Sequence, residues 1–213
     1  RVRERDGCYE PVMVDKIIRA IERSCAGLAA VDPMRIAIKT IGGLHDGATT
    51  QELDRLSIRT AAALIVEEPE YSRLAARLLT RYVEKEVQGQ NIFSFSQSIE
   101  AGAQLGLVSG GTAAFVRANA RKLNAAVDDG LSDRFEFFGA RTVYDRYLLR
   151  APESRQVIET PQYFFLRVAA GLSQSVGEAL DFYELIASLD YLPSSPTLFN
   201  AGTAHAQMSS CYL

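Results

Sequence analysis

The chain has 213 residues, 47% hydrophobic and 23% charged, which is ordinary globular composition with room for one or two domains and a real core. A formal net charge of -3 leaves no cationic excess to offset phosphate and argues against a protein whose main business is coating nucleic acid. No apolar run approaches the roughly 20 residues that span a bilayer, no signal peptide opens the chain, and three widely spaced cysteines form neither a disulfide framework nor a CxxC metal knuckle. These features predict a reduced, cytoplasmic protein with no membrane and no nucleic-acid partner. Because the first residue is Arg1 rather than Met, and the last lies two beyond Cys211, sequence is expected on both sides in the natural protein.

In chain order, "VRERDGCYEPV" places short extended arms around Asp6-Gly7, a dipeptide that favours a tight hairpin turn. "DKIIRAIERSCAG" sets Ile17, Ile18, Ile21 and Cys25 at helical spacing, with Gly27 as a stop. Asp32-Pro33 supplies a cap and first position for "PMRIAIKTI", which Gly42-Gly43 ends. Thr49 with Glu52 fits a capping box opening "QELDRLSIRTAAALIVE". Pro69 starts "PEYSRLAARLLTRYVEKEV", whose Leu74, Leu78 and Tyr82 share a face. A hairpin and four helices make one small domain, residues 1–90.

"QGQNIFSFSQS" reads as a connector with two Phe anchors. Beyond it helices are expected at about 96–107, 112–126, 140–149, 161–171 and 177–189, with Thr160-Pro161 another cap and first position. "DDGLSDRFEFFGA" reads as a turn with an aromatic cluster. "PTLFN", entered through Pro193 and Pro196, reads as a strand. Residues 91–213 are thus a second, mainly helical region. "RYVEKE" and "RANARK" are solvated helix faces, and His45, beside Asp46-Gly47, is a turn residue. No Asp/Glu/His cluster has metal-ligand spacing, so no metal is expected here.

The closing stretch "SSPTLFNAGTAHAQMSSCYL" is small, hydroxyl-rich and leads to a cysteine. "VRERDGCYEP" with "DKIIRAI" resembles the opening of an ATP-cone, a small nucleotide-sensing domain. "FFGARTVYDRYLL", "ETPQYFFLRVAAGL" and "LPSSPTLFNAGT" with "SSCYL" resemble successive stretches of the large (alpha) subunit of class I ribonucleotide reductase. The resemblance runs in order over the whole chain. It implies a mainly α fragment: a β-hairpin and four-helix ATP-cone, then the helical N-terminal part and first strand of a ten-stranded α/β barrel.

The same resemblance implies reduction of ribonucleoside diphosphates to deoxyribonucleotides by thiyl-radical chemistry. Cys211 becomes the first member of a redox-active pair whose partner is expected beyond Leu213. Ser195, Ser210 and Cys211 match substrate-binding positions, and at the two serines a hydroxyl both donates and accepts. His205 and Asn200 are read as loop residues and Ser194 as a turn former. No cofactor is expected in the fragment itself. The implied effectors are ATP and dATP. The implied partners are a radical-generating beta subunit with a dimetal site, a further alpha copy, and thioredoxin or glutaredoxin as reductant.

In the cone, Arg5, Glu10, Lys16, Thr50 and Lys85 match effector-binding positions. The chain departs from the pattern at Glu4-Arg5, where a Lys-Arg pair is typical, at Met13, which replaces a polar residue, and at Asp54, where a histidine is usual. A carboxylate about 4 Å from phosphate charges costs about 4 kcal/mol per unit charge at an effective dielectric near 20. That approaches half the roughly 8 kcal/mol of a micromolar complex. The cone is therefore expected to fold yet bind ATP and dATP weakly, as a degenerate copy with a competent cone upstream. Three alternatives stand beside this reading. One is an adenosylcobalamin-dependent reductase, which has a similar strand and cysteine but a poorer match to "GARTVYDRYL". Another is a non-enzymatic, cone-bearing repressor, whose zinc-ribbon CxxC is missing here. The third is a helical interaction module, which leaves the last twenty residues unexplained.

Overall fold

A computed structural model describes residues 2–3, 9–11 and 13–211. The expected Asp6-Gly7 turn, Glu4, Arg5 and Cys8 lie outside the described residues. The chain forms two compact units, residues 1–82 with 135–141 and residues 83–134 with 142–213.

In the first unit, β1 (Val2–Arg3) pairs antiparallel with β2 (Tyr9–Glu10), Val2 opposite Glu10 and Arg3 opposite Tyr9. Helix α1 (Val14–Ser24) follows, then α2 (Pro33–Gly42), opened by the Asp32 carboxylate accepting from the Met34 and Arg35 amides at 2.9 and 3.2 Å. A strand not expected from sequence, β3 (Ala48–Thr49), runs parallel to β1, giving the order β2-β1-β3. Helix α3 (Thr50–Ala63) opens with the expected capping box: the Glu52 amide donates to Thr49 Oγ1 at 3.1 Å and the Thr49 amide to Glu52 Oε2 at 2.7 Å. Helix α4 spans Glu70–Gln88. Ile17, Ile21, Ile36, Ala61, Leu64, Leu74 and Ala75 close a single core between these helices. Arg77 ties α4 to the end of α1 by donating to the Ser24 and Ala26 carbonyls at 3.0 and 2.6 Å, a cation at a helix C-terminus.

The second unit contains α5 (Phe95–Gln104) and α6 (Gly110–Ala126), capped by Ser94 and Ser109, then a 3₁₀ turn (Asp129–Arg134). Of the two expected Phe anchors only Phe95 is buried, while Phe93 is exposed. Helix α7 (Phe137–Thr142) belongs largely to the first unit, where the Phe137 amide donates to Ser72 Oγ at 3.0 Å. A π-helical turn (Val143–Tyr147) replaces the second half of the helix expected at 140–149. Helix α8 (Pro161–Leu172) is the axis of the unit and packs on α9 (Val176–Ala187), α5 and α6. Between α8 and α9, Tyr183 donates to Gln162 Oε1 at 2.8 Å and Gln162 donates to Ser132 Oγ at 3.0 Å, so these buried polar groups are partnered.

The expected strand at "PTLFN" is a helix instead, α10 (Ser195–Asn200). Pro196 sits in its first turn, where a fixed φ suits a helix and the missing N–H is not needed. The Leu198 amide reaches Ser194 O at 3.0 Å and the Ala201 amide Thr197 O at 2.9 Å. The chain after α10 then pairs with the loop before α6. Val108 bridges Thr203, the Ser109 amide donates to Gly202 O at 3.1 Å, and the Ala204 amide donates to Leu107 O at 2.9 Å. Among the described residues no helix is long and apolar enough to cross a membrane.

Two glycines make this docking possible. A Cβ on Gly171 would fall 2.1 Å from the Gly202 nitrogen and 2.5 Å from its Cα, and Gly202 itself has φ +77°. Gly171→Ala must therefore push the 201–203 segment off α8. We expect a loss of about 1–3 kcal/mol, as for overpacked cores, read as a lower midpoint in urea unfolding; an unchanged midpoint would contradict the close approach.

Candidate active-site segment and effector domain

Helix α8 is apolar and buried along most of its length, yet it carries Arg167 with no exposed surface. A buried guanidinium is tolerable only if its charge and donors are met. Glu159, just ahead of the helix cap and 1% exposed, meets it. The contact is bidentate, with Nε to Oε2 and Nη2 to Oε1 both 3.0 Å. The third donor, Nη1, reaches the Ala201 carbonyl at 2.7 Å, and Glu159 Oε1 also accepts the Leu149 amide at 2.8 Å. One ion pair thus fixes the chain at positions 149, 159, 167 and 201. Sequence reasoning passed over both residues; the signal was an arginine inside the run "FFLRVAA".

From Ala201 the segment is built outward in both directions. Upstream, Ser195 is exposed at the start of α10 and its Oγ lies 2.9 Å from the Tyr147 hydroxyl. The Tyr147 ring stacks on Phe199, centroids 4.5 Å apart and planes 23° apart. Downstream, the chain folds back along α10: Asn200 Nδ2 donates to Gln207 O, and Thr197 Oγ1 to Met208 O at 3.4 Å. This leads to Ser210 and Cys211, both exposed, with Oγ and Sγ 3.9 Å apart. Ser210 and Cys211 are therefore adjacent at the surface, while Ser195 is held by Tyr147. His205 is exposed, and its amide donates to Thr203 Oγ1 at 3.2 Å.

In the first unit, Lys16 is exposed on α1 and Thr50 is half-buried as the first residue of α3. Lys85 is exposed on the part of α4 assigned to the second unit, and the Arg5 and Glu10 side chains lie outside the described residues. Met13 occupies the N-cap of α1 with no side-chain hydrogen bond to the helix. A cavity of about 320 Å³ opens beside α3, lined by His45, Ala48, Glu52, Arg55 and Arg59 among others; Lys16, Thr50 and Lys85 do not line it. The Thr49 amide and hydroxyl hold the Glu52 carboxyl below its ordinary range. Arg55 donates from Nε and Nη2 to the Tyr82 hydroxyl at 3.1 and 2.9 Å.

Residues 1–86 match the ATP cone domain family, and residues 133–206 match the ribonucleotide reductase all-alpha domain. The chain is 36% identical to the ribonucleoside-diphosphate reductase large subunit of Danio rerio, over 99% of this chain and 27% of that protein. It is 35% identical to the large subunit of Vaccinia virus, over 99% of this chain and 28% of that one. Against the large chain of Schizosaccharomyces pombe the figures are 35%, 100% and 27%. The chain thus spans about a quarter of the length of the curated relatives it matches. Over that stretch it belongs to the ribonucleotide reductase large-subunit family.

The two described thiols differ in chemistry. Cys25 is buried in the core of the first unit, and loss of solvation pushes its pKa up to about 11, leaving almost no thiolate at neutral pH. Cys211 is exposed. Brief maleimide treatment at neutral pH, followed by peptide mapping, is expected to label Cys211 and to reach Cys25 only after denaturation. Comparable early labelling of both would refute the placement of Cys25.

Proposed function

We propose that the chain is the N-terminal part of a cytoplasmic class I ribonucleoside-diphosphate reductase large subunit. Residues 1–90 form its effector domain, and residues 91–213 the helical entry to the catalytic barrel with the first redox cysteine. Reducing a ribose C–OH to C–H with release of water takes two electrons and two protons. Two thiols supply them and end as a disulfide, which an external dithiol such as thioredoxin or glutaredoxin reopens. Cys211 is one of these thiols, and Ser195 and Ser210 bind the ribonucleoside diphosphate. The radical comes from a dimetal beta subunit, and alpha associates with itself. The observation that carries this reading is the exposed pair Ser210-Cys211 at the end of a segment pinned to a rigid helix by a fully buried ion pair.

In the full-length natural enzyme, Cys211→Ser preserves shape and hydrogen bonding but forms no disulfide. Multiple turnover should be lost while diphosphate affinity stays within a few-fold. Near wild-type steady-state rates with a dithiol reductant would overturn the assignment. The 213-residue chain alone should show no turnover with any effector or reductant.

The cone keeps its helices and capping box, while Glu4 replaces the lysine typical of the cone's Lys-Arg pair, so we propose that it binds ATP and dATP weakly. Calorimetric titration of the chain with dATP should give affinity weaker than micromolar. A low-micromolar dissociation constant would show that Arg5, Lys16 and their neighbours suffice.

A further inference from the structure

Tyr147 is the last residue of the π-helical turn, which is closed by the Leu148 amide donating to Val143 O at 3.2 Å. Single π turns are frequent at functional sites. Here the Tyr147 ring is held on two sides. It stacks on Phe199 of α10 and leans on Phe164 of α8, centroids 5.9 Å apart and planes 35° apart. The Arg167 guanidinium covers Phe164, 5.4 Å from its centroid. Packing therefore fixes the ring, and with it the phenolic oxygen 2.9 Å from Ser195 Oγ.

Direction within that hydrogen bond follows from acidity. A phenol, with a pKa near 10, is a far stronger acid than an aliphatic alcohol, so the tyrosine is the better donor and the serine the better acceptor. When Tyr147 donates, the Ser195 proton is free to turn toward another oxygen, and donation into its Oγ polarises the outgoing O–H. The strongest partner for that proton is an anionic oxygen.

We propose that Tyr147 is a positioning residue: it holds Ser195 as a donor toward a phosphate oxygen of the ribonucleoside diphosphate. This rests on the function proposed above. In the full-length enzyme, Tyr147→Phe keeps the ring and its stack but removes the donor. Substrate KM, and equilibrium affinity for a ribonucleoside diphosphate, should weaken by about three- to tenfold, the range of one hydrogen bond, with kcat within about twofold. Ser195→Ala should weaken both to a similar extent, and the double variant should be no worse than Ser195→Ala alone. Phe199→Leu, which keeps the hydroxyl but removes the stack, should shift KM in the same direction. Additive effects of Tyr147→Phe and Ser195→Ala, or an unchanged KM in Tyr147→Phe, would overturn the proposal. Wild-type turnover by Cys211→Ser would overturn the underlying function instead, while the Tyr147–Ser195 coupling would remain readable from equilibrium binding.

Discussion

The second unit is organised around two charges that water does not reach. Removing Arg167 and Glu159 from solvent is costly, and a buried ion pair of good geometry often only balances that cost. Its value here lies in register. The guanidinium fork fits one arrangement of the carboxylate, and its third donor, Nη1, donates to one carbonyl, that of Ala201. A slip of the 201–203 segment along α8 would leave a buried donor unmet, at about 1–3 kcal/mol or more for a charged group. The Gly171–Gly202 contact sharpens the same constraint sterically, since no larger residue fits at that crossing. The segment bearing Ser195 on one side and Cys211 on the other is thus set from its middle.

Local chemistry made much of the helical fold legible. Asp32-Pro33, Thr49 with Glu52, and Thr160-Pro161 each open a helix where the caps said one should open, because a cap satisfies groups within three residues of itself. Strand β3 escaped notice for the opposite reason. It is two residues long, has no period to detect, and is defined by pairing with β1 some 46 positions away. "PTLFN" misled because its apolar, partly β-branched composition suits a strand, whereas the proline's position decides the local backbone. The π turn was equally invisible, because the sequence pattern of a helix and of a one-residue expansion within it differ only by phase.

The candidate site divides along the same line. Cys211, Ser195 and Ser210 were reachable from a linear motif. Arg167, Glu159 and Tyr147 were not, because what distinguishes them is who they meet: a carboxylate eight residues back, a carbonyl thirty-four residues on, a hydroxyl forty-eight residues on. An arginine flanked by Leu166 and Val168 in a buried helix does advertise that a partner exists, without saying which.

The two units also handle exposed chemistry differently. In the first, two of the ionisable groups beside the α3 cavity are engaged by neighbours of the same fold: Glu52 by Thr49 and Arg55 by Tyr82. In the second, rigidity is concentrated beneath the exposed surface that carries Ser195. Arg167, Phe164 and Tyr147 form a ladder from a fully buried charge to a half-buried phenol, ending at an exposed hydroxyl. Each step fixes the next by packing or by one hydrogen bond, so the Ser195 oxygen is held in place. Function at the end of such a ladder needs few exposed residues, because interior contacts have already restricted their geometry.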